Sequence, residues 1–186
     1  MFSFASLTAT CILTALGAVS ATPLADRQSA TCSPNFEGAG VSIIAGQTEW
    51  GVSPVAAGTP LKRDLGTFPL NATAEWHVEQ TGSAIPTYIV KAISNNELVV
   101  DVVDRQLTLE QINSASPTQI WEIDCKQCFS GASSTPGGGK FAVGCAIKSA
   151  PSGLCVQLEM GSEFIGLNPC SGVVAQTFDF WTATAV

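Results

Sequence analysis

The chain has one histidine, one tyrosine and few charges: Asp, Glu, Lys and Arg make up only 12% of its 186 residues. The lone imidazole, His77, cannot form a His-x-x-x-His metal pair, and no serine sits in a Gly-x-Ser-x-Gly elbow. Acid–base chemistry would fall to carboxylate pairs such as Asp101 with Asp104, whose spacing is also that of ordinary turn residues. Gly137-Gly138-Gly139-Lys140 lacks the Ser or Thr that a phosphate-cradling loop carries after its lysine. No catalysis and no cofactor are expected. Cations are scarce, 8 Lys and Arg against 15 Asp and Glu, for a net charge of −7. That field repels phosphate backbones, so no nucleic-acid partner is expected. Hydrophobic residues at 46% exclude an intrinsically disordered chain.

Residues 1–21 are apolar, rich in small residues and free of Lys and Arg. Val19-Ser20-Ala21 supplies the small residues that signal peptidase requires, so a signal peptide is expected over 1–21. An uncleaved membrane anchor is the competing reading of so apolar a stretch. Residues 22–31 form a leader, with Asp26-Arg27-Gln28 a second candidate processing point. One domain, 32–186, remains. It carries six cysteines, Cys32, Cys125, Cys128, Cys145, Cys155 and Cys170, which behind a signal peptide predict a disulfide framework with 15 possible pairings. Asn71-Ala72-Thr73 is an N-glycosylation sequon. A secreted, extracellular monomer with no membrane span after maturation is expected.

Helical periodicity is nearly absent. Short apolar runs such as Gly40–Ile44, Tyr88–Val90, Leu98–Val103, Phe141–Val143 and Leu154–Leu158 lie between Gly, Pro, Ser and Asn clusters. Many short alternating strands with turn signals predict an all-β barrel or sandwich. The chain also repeats itself. Ile89-Val90-Lys91-Ala92 matches Ala146-Ile147-Lys148-Ser149, Leu98–Val102 matches Leu154–Leu158, and Leu107-Thr108-Leu109 matches Ile165-Gly166-Leu167. Both copies end in glutamine-x-aromatic, Gln119-Ile120-Trp121 and Gln176-Thr177-Phe178, and Ala74-Glu75-Trp76 stands where a third signal belongs. Removing two insertions, one within 51–62 and a Gly-rich one over 130–139, evens the spacing; the latter has the composition of a flexible surface loop. The repeats run about 32–80, 81–128 and 140–186.

These glutamine-x-aromatic repeats, with Gly153–Leu158 and Asn168-Pro169-Cys170, resemble the ricin B-chain lectin family. The resemblance covers about 32–185 and implies a β-trefoil, three four-stranded units around a pseudo-threefold axis. It makes Trp76, Trp121 and Phe178 core aromatics, with Gln119 and Gln176 bracing the backbone. It pairs Cys155 with Cys170. The other four cysteines are then assigned as Cys128–Cys145 across the Gly-rich insertion and Cys32–Cys125 between the first and second repeats. Cys125-Lys126-Gln127-Cys128 has neither the βαβ context of a redox site nor the second CxxC of a zinc ribbon, so no metal is expected.

A sugar site of this family uses a carboxylate, an aromatic ring and an amide. Gln157, Asn168 and Ala175 stand at those positions in the third repeat, and Ser42-Ile43-Ile44 is aligned with the acidic position in the first. The second repeat keeps Asp101, with Thr118 and Gln119 beside it; a turn-capping aspartate is the alternative role. Trp50 or Phe164 are candidates for a displaced site. The resemblance implies a secreted lectin-like protein that binds glycans or glycoproteins through degenerate sites. The rival is a secreted trefoil that binds protein through its loops, such as a protease inhibitor.

Overall fold

A computed structural model describes residues 31–64, 72–158 and 161–183. The signal peptide, nearly all of the leader and the sequon residue Asn71 lie outside them. Among the described residues the chain forms strands β1 (Gly40–Ala45), β2 (Thr48–Gly51), β3 (Thr59–Pro60), β4 (Lys62–Asp64), β5 (Glu75–Gln80), β6 (Tyr88–Ala92), β7 (Asn95–Val103), β8 (Gln106–Gln111), β9 (Trp121–Asp124), β10 (Gln127–Cys128), β11 (Lys140–Ser149), β12 (Cys155–Leu158), β13 (Ile165–Asn168) and β14 (Phe178–Thr182). Side-chain alternation decides which face turns inward. In β6, Tyr88, Val90 and Ala92 are buried while Ile89 and Lys91 are only partly covered.

Six strands close a barrel in the order β1, β5, β6, β9, β11, β14 and back to β1, every pair antiparallel. The three repeat aromatics stand at the starts of their strands, Trp121 and Phe178 first in β9 and β14 and Trp76 second in β5, and all three are fully buried. They face equivalent partners, Trp76 opposite Ala92 and Trp121 opposite Ser149. Phe36, ahead of β1, packs against Tyr88, Phe141 and Phe180 from three barrel strands, and Tyr88 donates its hydroxyl hydrogen to Pro34 O at 2.8 Å.

The hairpins β2–β4, β7–β8 and β12–β13 stand on this barrel. They meet through three related bridges: Lys62 with Phe164, Thr108 with Pro60, and Gly166 with Gln106. Each bridge joins one hairpin to the next, which gives the cap its threefold form. The fold is an all-β β-trefoil.

Three expectations need correction. The cysteines pair as Cys32–Cys128 and Cys125–Cys145, not as Cys128–Cys145 and Cys32–Cys125; the third bridge joins Cys155 to Cys170. Cys32 and Cys125 are backbone neighbours, exchanging two N–H···O bonds of 2.9 Å, but their sulfurs go to other partners. The Gly-rich stretch is also held in place. Glu37 accepts hydrogen bonds from Gly131 N (2.7 Å) and Ser133 Oγ, and Ala132 is buried. Lastly, the first repeat aligns differently, as the site geometry makes plain.

Candidate functional site

Strand β7 carries Asp101 on the face opposite the core residues Leu98 and Val100, beside the 3-10 turn Pro117–Gln119. Only 8% of Asp101 is exposed. Its Oδ1 accepts from Val102 N at 2.6 Å, and its Oδ2 accepts from Gln119 Nε2 at 2.9 Å. Gln119 is buried too. It also donates to Gln111 O at 2.9 Å, and its Oε1 accepts from Asn113 N at 2.8 Å. Thr118 is half-buried, with its hydroxyl 2.8 Å from that of Ser116. The structure thus brings Asp101 and Gln119 together as one bonded pair, with Thr118 adjacent in the chain.

The third unit repeats the arrangement with an amide for the carboxylate. Gln176 Nε2 donates to Gln157 Oε1 (2.8 Å) and Pro169 O (2.9 Å), and its Oε1 accepts from Ser171 N (2.8 Å). Two indole bonds then fix the register of the first unit. Trp121 Nε1 donates to Val100 O at 3.2 Å, and Trp76 Nε1 donates to Trp50 O at 3.3 Å. Trp50 therefore corresponds to Val100, and Gly51 to Asp101. The aspartate position of unit one is Gly51 in β2, not Ser42–Ile44 in β1, and the glutamine position is Ala74. Unit one has lost both members of the pair at once. A backbone bridge stands in for them, with Val52 and Thr73 exchanging N–H···O bonds of 2.9 and 3.0 Å.

Trp50 belongs to the core: it is fully buried and makes an edge contact with Phe178 at 5.5 Å. A displaced site at Trp50 is excluded. Phe164 is half-buried at the surface, with Lys62 Nζ 5.2 Å from its ring centre. It lines an open pocket of about 260 Å³ together with Asp104 and Arg105, the tip of the β7–β8 hairpin. The sequence reading missed Arg105. The available signal was the Asp104-Arg105 turn between two apolar runs.

Among the described residues two carboxyl groups, Glu37 and Glu49, have displaced titrations. Glu37 is held below its ordinary value by its hydrogen bonds from Ser133 and Gly131. Burial pushes Glu49 up, against a hydrogen bond with Ser42 and with help from nearby Asp64 and Glu75. Glu49 and Asp64 face each other across β2 and β4. His77 Nδ1 lies 2.8 Å from Asn96 Oδ1 at the surface. Among the described residues no group of three or more His, Cys, Asp or Glu side chains is placed to hold a metal ion.

No protein-family model and no curated protein sequence matches the chain. Solved structures do. It superimposes on Cry35Ab1 with a TM-score of 0.61 at 13% identity, over 80% of this chain and 37% of that one. A BEL β-trefoil gives 0.57 at 11% identity, over 81% and 97%. A Polyporus squamosus lectin, bound to a human-type influenza-binding epitope, gives 0.53 at 19%, over 78% and 50%. The chain thus spans about a third of Cry35Ab1 and half of that lectin. These likenesses establish the β-trefoil fold. Among the described residues no helix is long and apolar enough to cross a membrane.

Proposed function

We propose that this β-trefoil is a secreted, non-catalytic, lectin-like protein that binds carbohydrate through shallow surface sites. Three disulfides suit an oxidising compartment. The observation that carries the reading is Asp101. Its two oxygens each accept one fixed hydrogen bond, and an ionised carboxylate offers about four acceptor sites. The carboxylate is oriented in advance, each oxygen keeps an acceptor position without a protein bond, and the 8% of the residue that is exposed is where a sugar hydroxyl would reach it; charge-assisted bonds are the strong ones. Thr118 and the Gln119 backbone flank it. The Gln157 amide is a weaker acceptor at the corresponding place, and Gly51 offers none, so unit two is the proposed site.

The protease-inhibitor reading needs a long loop standing free of its scaffold. Both long insertions are tied down: Thr59 and Pro60 pair with β8, and Glu37 holds the Gly-rich stretch. A glycan array tests the proposal. The mature protein is expected to bind, and Asp101→Asn, checked for an unchanged fold by circular dichroism, is expected to lose the signal. Absence of binding to every glycan, or binding indifferent to Asp101→Asn, overturns the assignment to unit two.

A further inference from the structure

Gly166 is the odd member of a threefold set. The corresponding bridge residues of the other hairpins are Lys62 and Thr108, each with a side chain. Where the set has only Gly166, the cap opens into the pocket of about 260 Å³ between the β7–β8 tip and β13. Gly166 is not among the residues with positive φ, so its backbone does not require glycine. Gly166 lines the pocket and contributes no side chain to it.

The groups around the opening have a definite chemistry. Asp104 and Arg105 form the hairpin tip at φ 49° and 67°, left-handed values that a bulky residue rarely adopts. Aspartate tolerates that region, but Arg105 is a long side chain where glycine would relieve the strain, and both residues are exposed. The Arg105 guanidinium has no hydrogen bond or ion pair in the described structure, although its carbonyl accepts from Leu167 N at 2.7 Å and fixes the tip against β13. Three of the chain's eight cations gather around Ser162–Phe164. Arg63 donates to Ser162 O at 3.3 Å, Lys62 bonds Glu163 and lies near the Phe164 ring, and Arg105 shares the pocket with Ser162 and Phe164. Lys62 is neutralised by its ion pair with Glu163, and Asp104 lines the pocket beside Arg105, so the cation left without a protein partner there is the Arg105 guanidinium.

We propose that this pocket is a second binding site, distinct from Asp101, for a saccharide bearing a carboxylate. The unpaired guanidinium takes the carboxylate through two parallel N–H···O bonds, a geometry that suits arginine and not lysine. Phe164 gives an apolar wall for the C–H face of the ring, and Asp104 supplies polar atoms for hydroxyls. The proposal shares the carbohydrate reading but does not depend on Asp101.

The test is an amide NMR titration of the mature protein with trigalacturonate and with sialyllactose, each beside its neutral methyl ester. The acids are expected to shift the amides of residues 104–106 and 162–168. The esters, and the acids on Arg105→Gln, are expected to bind about tenfold more weakly or worse, the worth of a charge-assisted bond. Gly166→Thr, which installs the residue unit two already has, is expected to close the pocket and abolish binding with melting temperature preserved. Asp101→Asn is expected to leave these shifts unchanged. Equal binding of acid and ester overturns the inference, as does loss through Asp101→Asn alone or no shift at these amides with either acid. If neutral glycans bind through Asp101 while both acids fail here, this inference falls and the unit-two site stands.

Discussion

Gln119 and Gln176 each hold three parts of their unit with one side chain. Each carboxamide ties a strand residue (Asp101 or Gln157), a carbonyl at the end of the hairpin (Gln111 or Pro169) and a loop N–H (Asn113 or Ser171). Removing such a buried amide strands its partners, at about 1–3 kcal/mol for each group left unsatisfied. Gln119→Ala is therefore expected to lower stability in urea by at least that amount, and Gln176→Ala by a similar amount. In the first unit Ala74→Gln should gain nothing, because Gly51 has no side chain to receive it. Glu49 predicts a pH effect of known sign. Its pKa in the fold lies above the ordinary 4.5, so the fold favours the protonated form. That contribution is fully present below the ordinary value and is lost as pH rises through the raised one. Glu49→Gln is expected to raise the melting temperature at pH 7, with the gain disappearing below about pH 4. An equal gain at both pH values would show that charge is not the cause.

At the scale of elements, the Gly-rich stretch depends on one acid. Glu37 is exposed, and its bonds to Gly131 and Ser133 fasten the insertion to the segment before β1. Glu37→Ala is expected to speed cleavage within 130–139 by a nonspecific protease, with the melting temperature nearly unchanged. The composition of this stretch suggested a free loop because composition reports local propensity, whereas the anchor is 94 residues away in sequence. The second and third units were legible for the opposite reason. Their alignment rested on strand alternation and on the glutamine pair, which are local, and Leu107 with Ile165 occupy matching places next to Thr108 and Gly166. The first unit was misaligned because its polar pair is gone, and Val41–Ile44 carries as strong an apolar run as β7. The disulfides were illegible for a further reason. Cys32 and Cys125 are indeed neighbours along a bridge, but the direction of each Cβ decides which sulfur is reached, and spacing does not encode it. Asp101 was legible as a residue, but its bond to Gln119 was visible only in three dimensions. Arg105 had no repeat to mark it.

At the scale of the whole molecule, the three bridges close loops of very different length. Their sequence separations are 96 for Cys32–Cys128, 20 for Cys125–Cys145 and 15 for Cys155–Cys170. In the chain-entropy model a loop near 15 residues is worth about 3 kcal/mol and one near 100 about 4.7. Replacing Cys32 and Cys128 together by serine is expected to destabilise more than replacing Cys155 and Cys170, measured by thermal unfolding of the two double variants. The reverse order would mean that native packing, rather than the unfolded chain, sets the contribution. The barrel has its own demand on the chain. Its seam joins β1 to β14, with Val41 opposite Thr182 and Ile43 opposite Phe180. A ribosome delivers residues from the N-terminus, so β1 emerges long before its partner exists. Until β14 has been made, β1 presents an open edge to whatever else is in the compartment. The place where the barrel closes thus sets how long the nascent chain must keep β1 from pairing with the wrong partner.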